Sequence, residues 1–216
     1  MSTEFYCGSG SPYAWRVWLA LEHKALPYTL RMLSFSGGDL KQPQFLALNP
    51  RGKVPVLVDG DVVLYESAAI LDYLHDAYPH SGERLLPDDI QARARARRLV
   101  READSYLAPA MEHLVDDILF TPVEDWNADA IAKARDAFIT ELARFESELN
   151  GDFFAGAVGT VDFTVYPIIA LALRAERKKP DLNLSANIPM KLAAWMRRME
   201  ALPYFTSTYP PHWKQA

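Results

Sequence analysis

Residues Asn49–Leu74 read NPRGKVPVLVDGDVVLYESAAILDYL, and the fold is decided in this stretch. Lys53-Val54-Pro55 leads into a short apolar strand. Asp59-Gly60 suits a two-residue type I′ hairpin, after which a second strand follows. Glu66-Ser67 then stands where strand gives way to an apolar helix running to about Tyr78. A helix start presents free backbone N–H groups and the positive end of the dipole, and so favours a carboxylate. An extended backbone at Val54 and an anion seat at Ser67 together suit a peptide-like ligand.

Upstream, Thr3–Tyr6 reads as a short strand and Cys7-Gly8-Ser9-Gly10 as a flexible loop. Ser11-Pro12 opens a helix to about His23: serine is a favoured N-cap and proline a favoured first helical residue. Trp15, Val17, Trp18 and Leu21 form its apolar stripe. Tyr28–Leu33 is a second strand, Ser34–Lys41 a loop and Gln42–Leu48 a short helix. The order is therefore β-α-β-α-β-β-α over about 80 residues.

Downstream, PHSGERLLP (Pro79–Pro87) has two prolines, a glycine and no periodicity. It reads as a break between a domain at 1–79 and one at 88–216, with 80–87 the linker. The remaining pattern is helical: Asp88 to about Phe120, bent at Pro109; Ala128–Leu149; the more apolar Thr160 to about Arg177, expected to be central; and Asn187–Ala201, with Asn187 as cap. The aromatic, proline-rich tail is expected to lie over a surface without forming a helix.

Composition narrows the function classes. A net charge of −5 gives no electrostatic pull towards nucleic acid. No apolar run approaches the roughly 20 residues that span a bilayer. The opening MSTEFYCGSGSPY lacks a basic stretch followed by an apolar one, so no signal peptide is expected. One cysteine excludes an intrachain disulfide and fits a reducing, cytoplasmic setting. The five histidines show no HxxxH spacing, so no metal site is expected.

Three segments, taken in order, resemble the cytosolic glutathione S-transferases over essentially the whole chain. SPYAWRVWLAL (Ser11–Leu21) resembles the serine-type active-site segment, especially its tau-like and bacterial form. KVPVL (Lys53–Leu57) resembles the segment holding the family's cis-proline, and ESAAILDYL (Glu66–Leu74) the helix start that holds the γ-glutamyl end of glutathione. The resemblance implies an α/β thioredoxin-like domain followed by an all-α helical bundle. It implies a homodimer with glutathione as co-substrate, whose thiolate attacks a small hydrophobic electrophile.

What each residue would do follows from the same resemblance. Ser11 would stabilise the thiolate. A free thiol with a pKa near 8.5 is only about 3% ionised at pH 7, and lowering that pKa by about two units takes roughly 2.7 kcal/mol. One charge-assisted hydrogen bond supplies about 1.5–3 kcal/mol and a helix N-terminus somewhat under 1, so one hydroxyl at a helix start is enough. Val54, before a cis Pro55, would pair with the cysteinyl backbone. Ser67 would receive the γ-glutamyl carboxylate, and Glu66 would accept from the γ-glutamyl ammonium. Lys53 and Lys41 would face the glycyl carboxylate. Tyr13, with Tyr106, Ala110 and Met111 of the helical domain, would line the electrophile pocket. Asp162, in GTVDF, would be a folding and capping residue, with Gly159 where the family usually has serine or threonine.

Competing readings stand beside these. Ser9, Cys7 or Tyr6 could replace or assist Ser11, and Ser-Pro is a good helix start in any protein. A glutathione-binding module without turnover keeps the same fold. A thiol oxidoreductase would want its cysteine at the helix start, where Ser11 stands, and a zeta-like isomerase would show SSCSWRVR in place of SPYAWRVW.

Overall fold

The computed structural model describes residues 3–213. They fall into two compact units, 3–86 with 203–213, and Pro87–Leu202.

In the first unit, β1 (Thr3–Gly8), α1 (Pro12–His23) and β2 (Thr29–Leu33) make a βαβ turn, so β1 and β2 are parallel. After α2 (Pro43–Leu48), β3 (Val56–Asp59) and β4 (Val62–Tyr65) form an antiparallel hairpin, and α3 (Ser67–Ala77) follows. The sheet order is β2-β1-β3-β4, with β1 and β3 antiparallel, which is the expected thioredoxin-like arrangement. Alternation along β1 fixes its two faces. Phe5 packs on Trp18 of α1, whereas Tyr6 packs on Phe45 of α2. Phe5 and Leu57 are buried in the sheet, and Trp15, Leu19, Ile70 and Leu74 supply the buried faces of α1 and α3.

The hairpin differs from expectation. Its two-residue loop is Gly60-Asp61, with Gly60 at φ 60 and Asp59 paired to Val62 within the ladder. A positive φ at the first loop position alone fits a type II′ turn, not I′. Asp59 is held in the strand because its carboxylate accepts from the hydroxyls of Thr3, Tyr73 and Tyr78. Burial raises its pKa, but those three donors outweigh it and the net shift is downward.

Residues 80–86, most of the 80–87 stretch read as a linker, fold against the end of α1. Gly82, at φ 52, lies so close to the backbone of His23 and Lys24 that a Cβ would come within 2.4 Å of the Lys24 carbonyl carbon, and the Glu83 amide donates to His23 O. The tail belongs to this unit as well, and not to the helical one. It forms a short helical turn, α9 (Phe205–Thr208), and a 3₁₀ turn at Pro211–Trp213. Tyr209 and Trp213 stand edge-on to Trp15, whose indole N–H donates to Thr208 Oγ1 at 3.1 Å. Phe205 completes the cluster. A tail rich in aromatic rings finds a buried tryptophan to cover.

The second unit is helical. Asp89 caps α4 (Ile90–Glu102) by accepting from the Ala92 amide at 2.8 Å. The helical path continues through a wider π turn at Ala103–Leu107 into α5 (Ala108–Val115), then through a second at Asp116–Phe120. The single bent helix expected here is interrupted because Pro109 has no N–H and its ring crowds the carbonyl four residues back; the π turn just before it relieves both. α6 spans Ala128–Glu148 and α7 Thr160–Lys178; the first two turns of α7 are buried all round, as its apolar sequence implies. α8 runs Met190–Glu200, not from Asn187. Pro189 biases Ile188 to extended backbone (φ −70, ψ 121), and the side-chain amide of Asn187 donates instead to Asn183 O. Asp162 is fully buried and accepts from Trp195 Nε1 and from the Phe154 and Gly159 amides. Gly159 has no side chain to return a bond, so the cap is one-sided. Among the described residues, no helix is long and apolar enough to cross a membrane.

Candidate active site

Register brings the singled-out segments of the first unit to one end of the sheet. Tyr6 of β1 pairs with Val56 of β3, which pairs with Tyr65 of β4. The continuations past these residues are therefore neighbours: Cys7–Ser11, Val54-Pro55 and Glu66-Ser67. On the other side Gly8 pairs with Leu33, so the Ser34–Lys41 loop leaves from the same end. At Gly8 two of them close in, since a Cβ there would meet Phe35 Cζ at 2.5 Å and Val54 Cγ2 at 3.0 Å.

The loop ahead of α1 is a tight turn. Ser11 N–H donates to Gly8 O at 3.1 Å, with Gly10 at φ 86. Ser11 is the N-cap of α1, in extended backbone, and its Oγ accepts from the Ala14 amide at 3.3 Å. Its hydroxyl is half-buried at the positive end of the helix.

The competitors for this role are placed differently. Cys7 is 2% exposed, and burial pushes its thiol up to about 12. The Tyr6 hydroxyl donates to Glu4 Oε2 at 2.8 Å, and burial, then that bond, raise its pKa. Ser9 Oγ shares a 2.7 Å hydrogen bond with His212 Nδ1.

The Val54–Pro55 bond is cis, and Val54 lies two residues before β3 begins to pair, so its N–H and C=O are outside the ladder. Asn49 shapes the approach to this bond. It is 3% exposed, its side-chain amide donates to Lys53 O at 2.6 Å, and its Oδ1 accepts from the Arg51 amide. Asn49 is not among the expected site residues; its signal in the sequence is a turn-forming asparagine ahead of Arg51-Gly52. Lys53 is exposed, as is Lys41 at the end of a 3₁₀ turn, Asp39–Lys41.

Glu66 adopts φ 69, ψ 102, outside the conformations a residue with a Cβ favours, and makes no side-chain cap for α3. Ser67 behind it is 7% exposed and is the first residue of the helix. The start of α3 thus carries backbone N–H groups that no side chain of Glu66 satisfies, as an anion seat requires.

The residues expected around an electrophile are less uniform. Tyr13 lies in the first turn of α1, with the Arg16 guanidinium 5.3 Å from its ring centre. Of the helical unit's three, Ala110 and Met111 are buried, at 7% and 1% exposure, and only Tyr106 presents surface. Tyr106 lines a groove of about 400 Å³ with Leu99, Glu102, Glu141, Arg144 and Glu148. A methionine and an alanine on an amphipathic helix have gone to the core, as such residues commonly do. Among the described residues, no three His, Cys, Asp or Glu side chains are grouped to hold a metal ion.

The family profile described as glutathione S-transferase, N-terminal domain, matches residues 10–77. Glutathione S-transferase 3 of Zea mays is 32% identical over 92% of this chain and 89% of its own length. Glutathione S-transferase A of Pleuronectes platessa is 29% identical over 97% and 92%. The crystal structure of a glutathione S-transferase from the Antarctic clam Laternula elliptica superposes with a TM-score of 0.85 at 30% identity, covering 100% of this chain and 95% of its own. From the sheet end at Gly8 to relatives matched along nearly their full length, the chain belongs to the glutathione S-transferase family.

Proposed function

We propose that this glutathione S-transferase is of the serine type, and that the Ser11 hydroxyl donates a hydrogen bond to the thiolate of bound glutathione. The observation that carries this reading is the position of Ser11 as N-cap of α1, at the sheet end where the cis-proline segment and the start of α3 also arrive. Ionisation releases the thiol proton to solvent. The sulfur lone pair then forms a C–S bond to an electrophilic carbon, and the displaced electron pair leaves with a leaving group or passes into a conjugated acceptor.

The rest of the site holds the tripeptide. Val54 offers backbone N–H and C=O to the cysteinyl residue. Ser67 and the first amides of α3 take the γ-glutamyl carboxylate, with the Glu66 carboxylate towards the ammonium. Lys53 and Lys41 take the glycyl carboxylate. Tyr13, in the first turn of α1, is the first unit's candidate for contact with the electrophile; among the helical unit's candidates, Tyr106 is the exposed one. The tau-like SPYAWRV segment supports the subclass, and the family resemblance supports a cytoplasmic homodimer.

The test is the ultraviolet absorbance of bound thiolate as pH is varied, in wild type and Ser11→Ala. Wild type should show a thiol pKa well below that of free glutathione, and the variant should lose most of the shift. An unshifted pKa in wild type would leave a glutathione-binding module in place of an enzyme of this type.

A further inference from the structure

The C-terminal tail reaches back to the loop that sets Ser11. His212 Nδ1 and Ser9 Oγ are 2.7 Å apart, and the His212 ring lies where a side chain at position 10 would be. A Cβ on Gly10 would stand 2.8 Å from His212 Cε1 and 3.2 Å from Nε2. Ser9 and Gly10 are the two central residues of the turn closed by Ser11 N–H to Gly8 O. That turn is thus bounded by Phe35 and Val54 at Gly8, and by His212 at Ser9 and Gly10.

The tail is anchored so that it can do this. Trp213 is 5% exposed and stands edge-on to Trp15 at 5.6 Å. Its amide donates to Pro210 O, which closes the 3₁₀ turn carrying His212. Thr208 accepts from the Trp15 indole, and the Trp15 amide donates to Ser11 O at 2.9 Å. One tryptophan thus ties the tail to the first turn of the helix that Ser11 caps.

We propose that His212 is a positioning residue for the glutathione reaction. By holding Ser9 it fixes the Gly8–Ser11 turn, and through the turn it aims the Ser11 hydroxyl at the thiolate. The proposal rests on the reading of Ser11 given above. It gives Ser9, a competitor for catalysis on sequence grounds, a supporting role: its oxygen is occupied by the tail while Ser11 faces the ligand.

The experiment uses the full chain with glutathione and a generic aryl halide, comparing His212→Ala, His212→Asn, Ser9→Ala, the Ser9→Ala/His212→Ala double variant and Ser11→Ala. An asparagine amide can occupy the place of Nδ1, so it should restore the bond. His212→Ala and Ser9→Ala should each lower bound-thiolate absorbance and kcat about three- to tenfold, the size of one hydrogen bond lost, with the glutathione KM moving less than about twofold. His212→Asn should recover most of the loss, and the double variant should be no worse than either single one. Ser9→Ala removes only the hydroxyl, so it reads the same bond should His212→Ala loosen the tail. Wild-type thiolate and kcat in His212→Ala, no rescue by asparagine, or losses that add in the double variant would each overturn the proposal. If Ser11→Ala loses the thiolate while His212→Ala keeps it, the tail proposal falls alone. If Ser11→Ala keeps the thiolate, the reading of Ser11 falls and takes this one with it.

Discussion

Ser11 Oγ accepts from the amide of Ala14 at 3.3 Å, just longer than the usual range for an N–H···O bond. A serine hydroxyl has two acceptor lone pairs and one proton to donate. The cap uses a lone pair and leaves the proton for a ligand, so capping and the proposed thiolate stabilisation draw on different parts of one group. Ser11→Ala should therefore show two separable losses. The missing cap should lower stability by about 1 kcal/mol, and the missing donor should lower turnover about tenfold or more. Ser11→Thr keeps both functions and should recover most of each. Thermal unfolding measures the first loss, and kcat at saturating glutathione the second.

Cys7 should be silent. With its thiol held near 12 by burial, the thiolate fraction at neutral pH is on the order of one part in 10⁵. Cys7→Ala should leave kcat within about twofold of wild type, since the residue acts as a small apolar filler. Thiol-specific reagents should modify the native protein only on unfolding. Rapid labelling of the folded chain, with loss of activity, would reopen the cysteine-based reading.

Local sequence made much of this site legible. Ser11-Pro12 wrote a helix start, Val54-Pro55 marked the approach to β3, and Glu66-Ser67 marked the change from strand to helix; each signal lies within a few residues of its effect. The features that were not legible depend on partners far along the chain. Asp59 left the turn for the strand with the hydroxyls of Tyr73 and Tyr78 as its partners, 14 and 19 residues on. The tail joined the first unit through Trp15, some two hundred residues earlier, and composition showed only that it was rich in aromatic rings and proline. Ala110 and Met111 carry a stripe that reads as core or pocket, and their burial is set by neighbours that local sequence does not name.

Glu66 holds a positive φ that a side chain with a Cβ tolerates poorly, and such positions cost roughly 1–2 kcal/mol. Glycine there removes the strain along with the carboxylate, whereas alanine removes the carboxylate alone. Glu66→Gly should therefore be more stable than Glu66→Ala by about 1 kcal/mol. If Glu66 faces the γ-glutamyl ammonium as proposed, both variants should bind glutathione about tenfold more weakly. Denaturant unfolding and calorimetric titration with glutathione separate the two effects. Wild-type affinity in both variants would remove Glu66 from the binding site.

Asp162 gives a pH dependence whose sign differs from that of most native carboxylates. Burial holds it up at about 6 against an ordinary 3.8, although Trp195 Nε1 and the Phe154 and Gly159 amides all favour the charged form. Between those two values the folded chain binds the proton more tightly than the unfolded chain does. The resulting stability is fully present below the lower value and is lost as pH rises through the upper one, an amount of about 3 kcal/mol. Asp162→Asn cannot ionise, and its NH₂ must face one of three donors, so it should be less stable throughout but free of this slope. The advantage of wild type over Asp162→Asn, measured by denaturant unfolding from about pH 4 to about pH 7, should therefore shrink with rising pH by that amount. If the advantage grew instead, the three donors would outweigh burial and the carboxylate would be the form that the helical unit prefers.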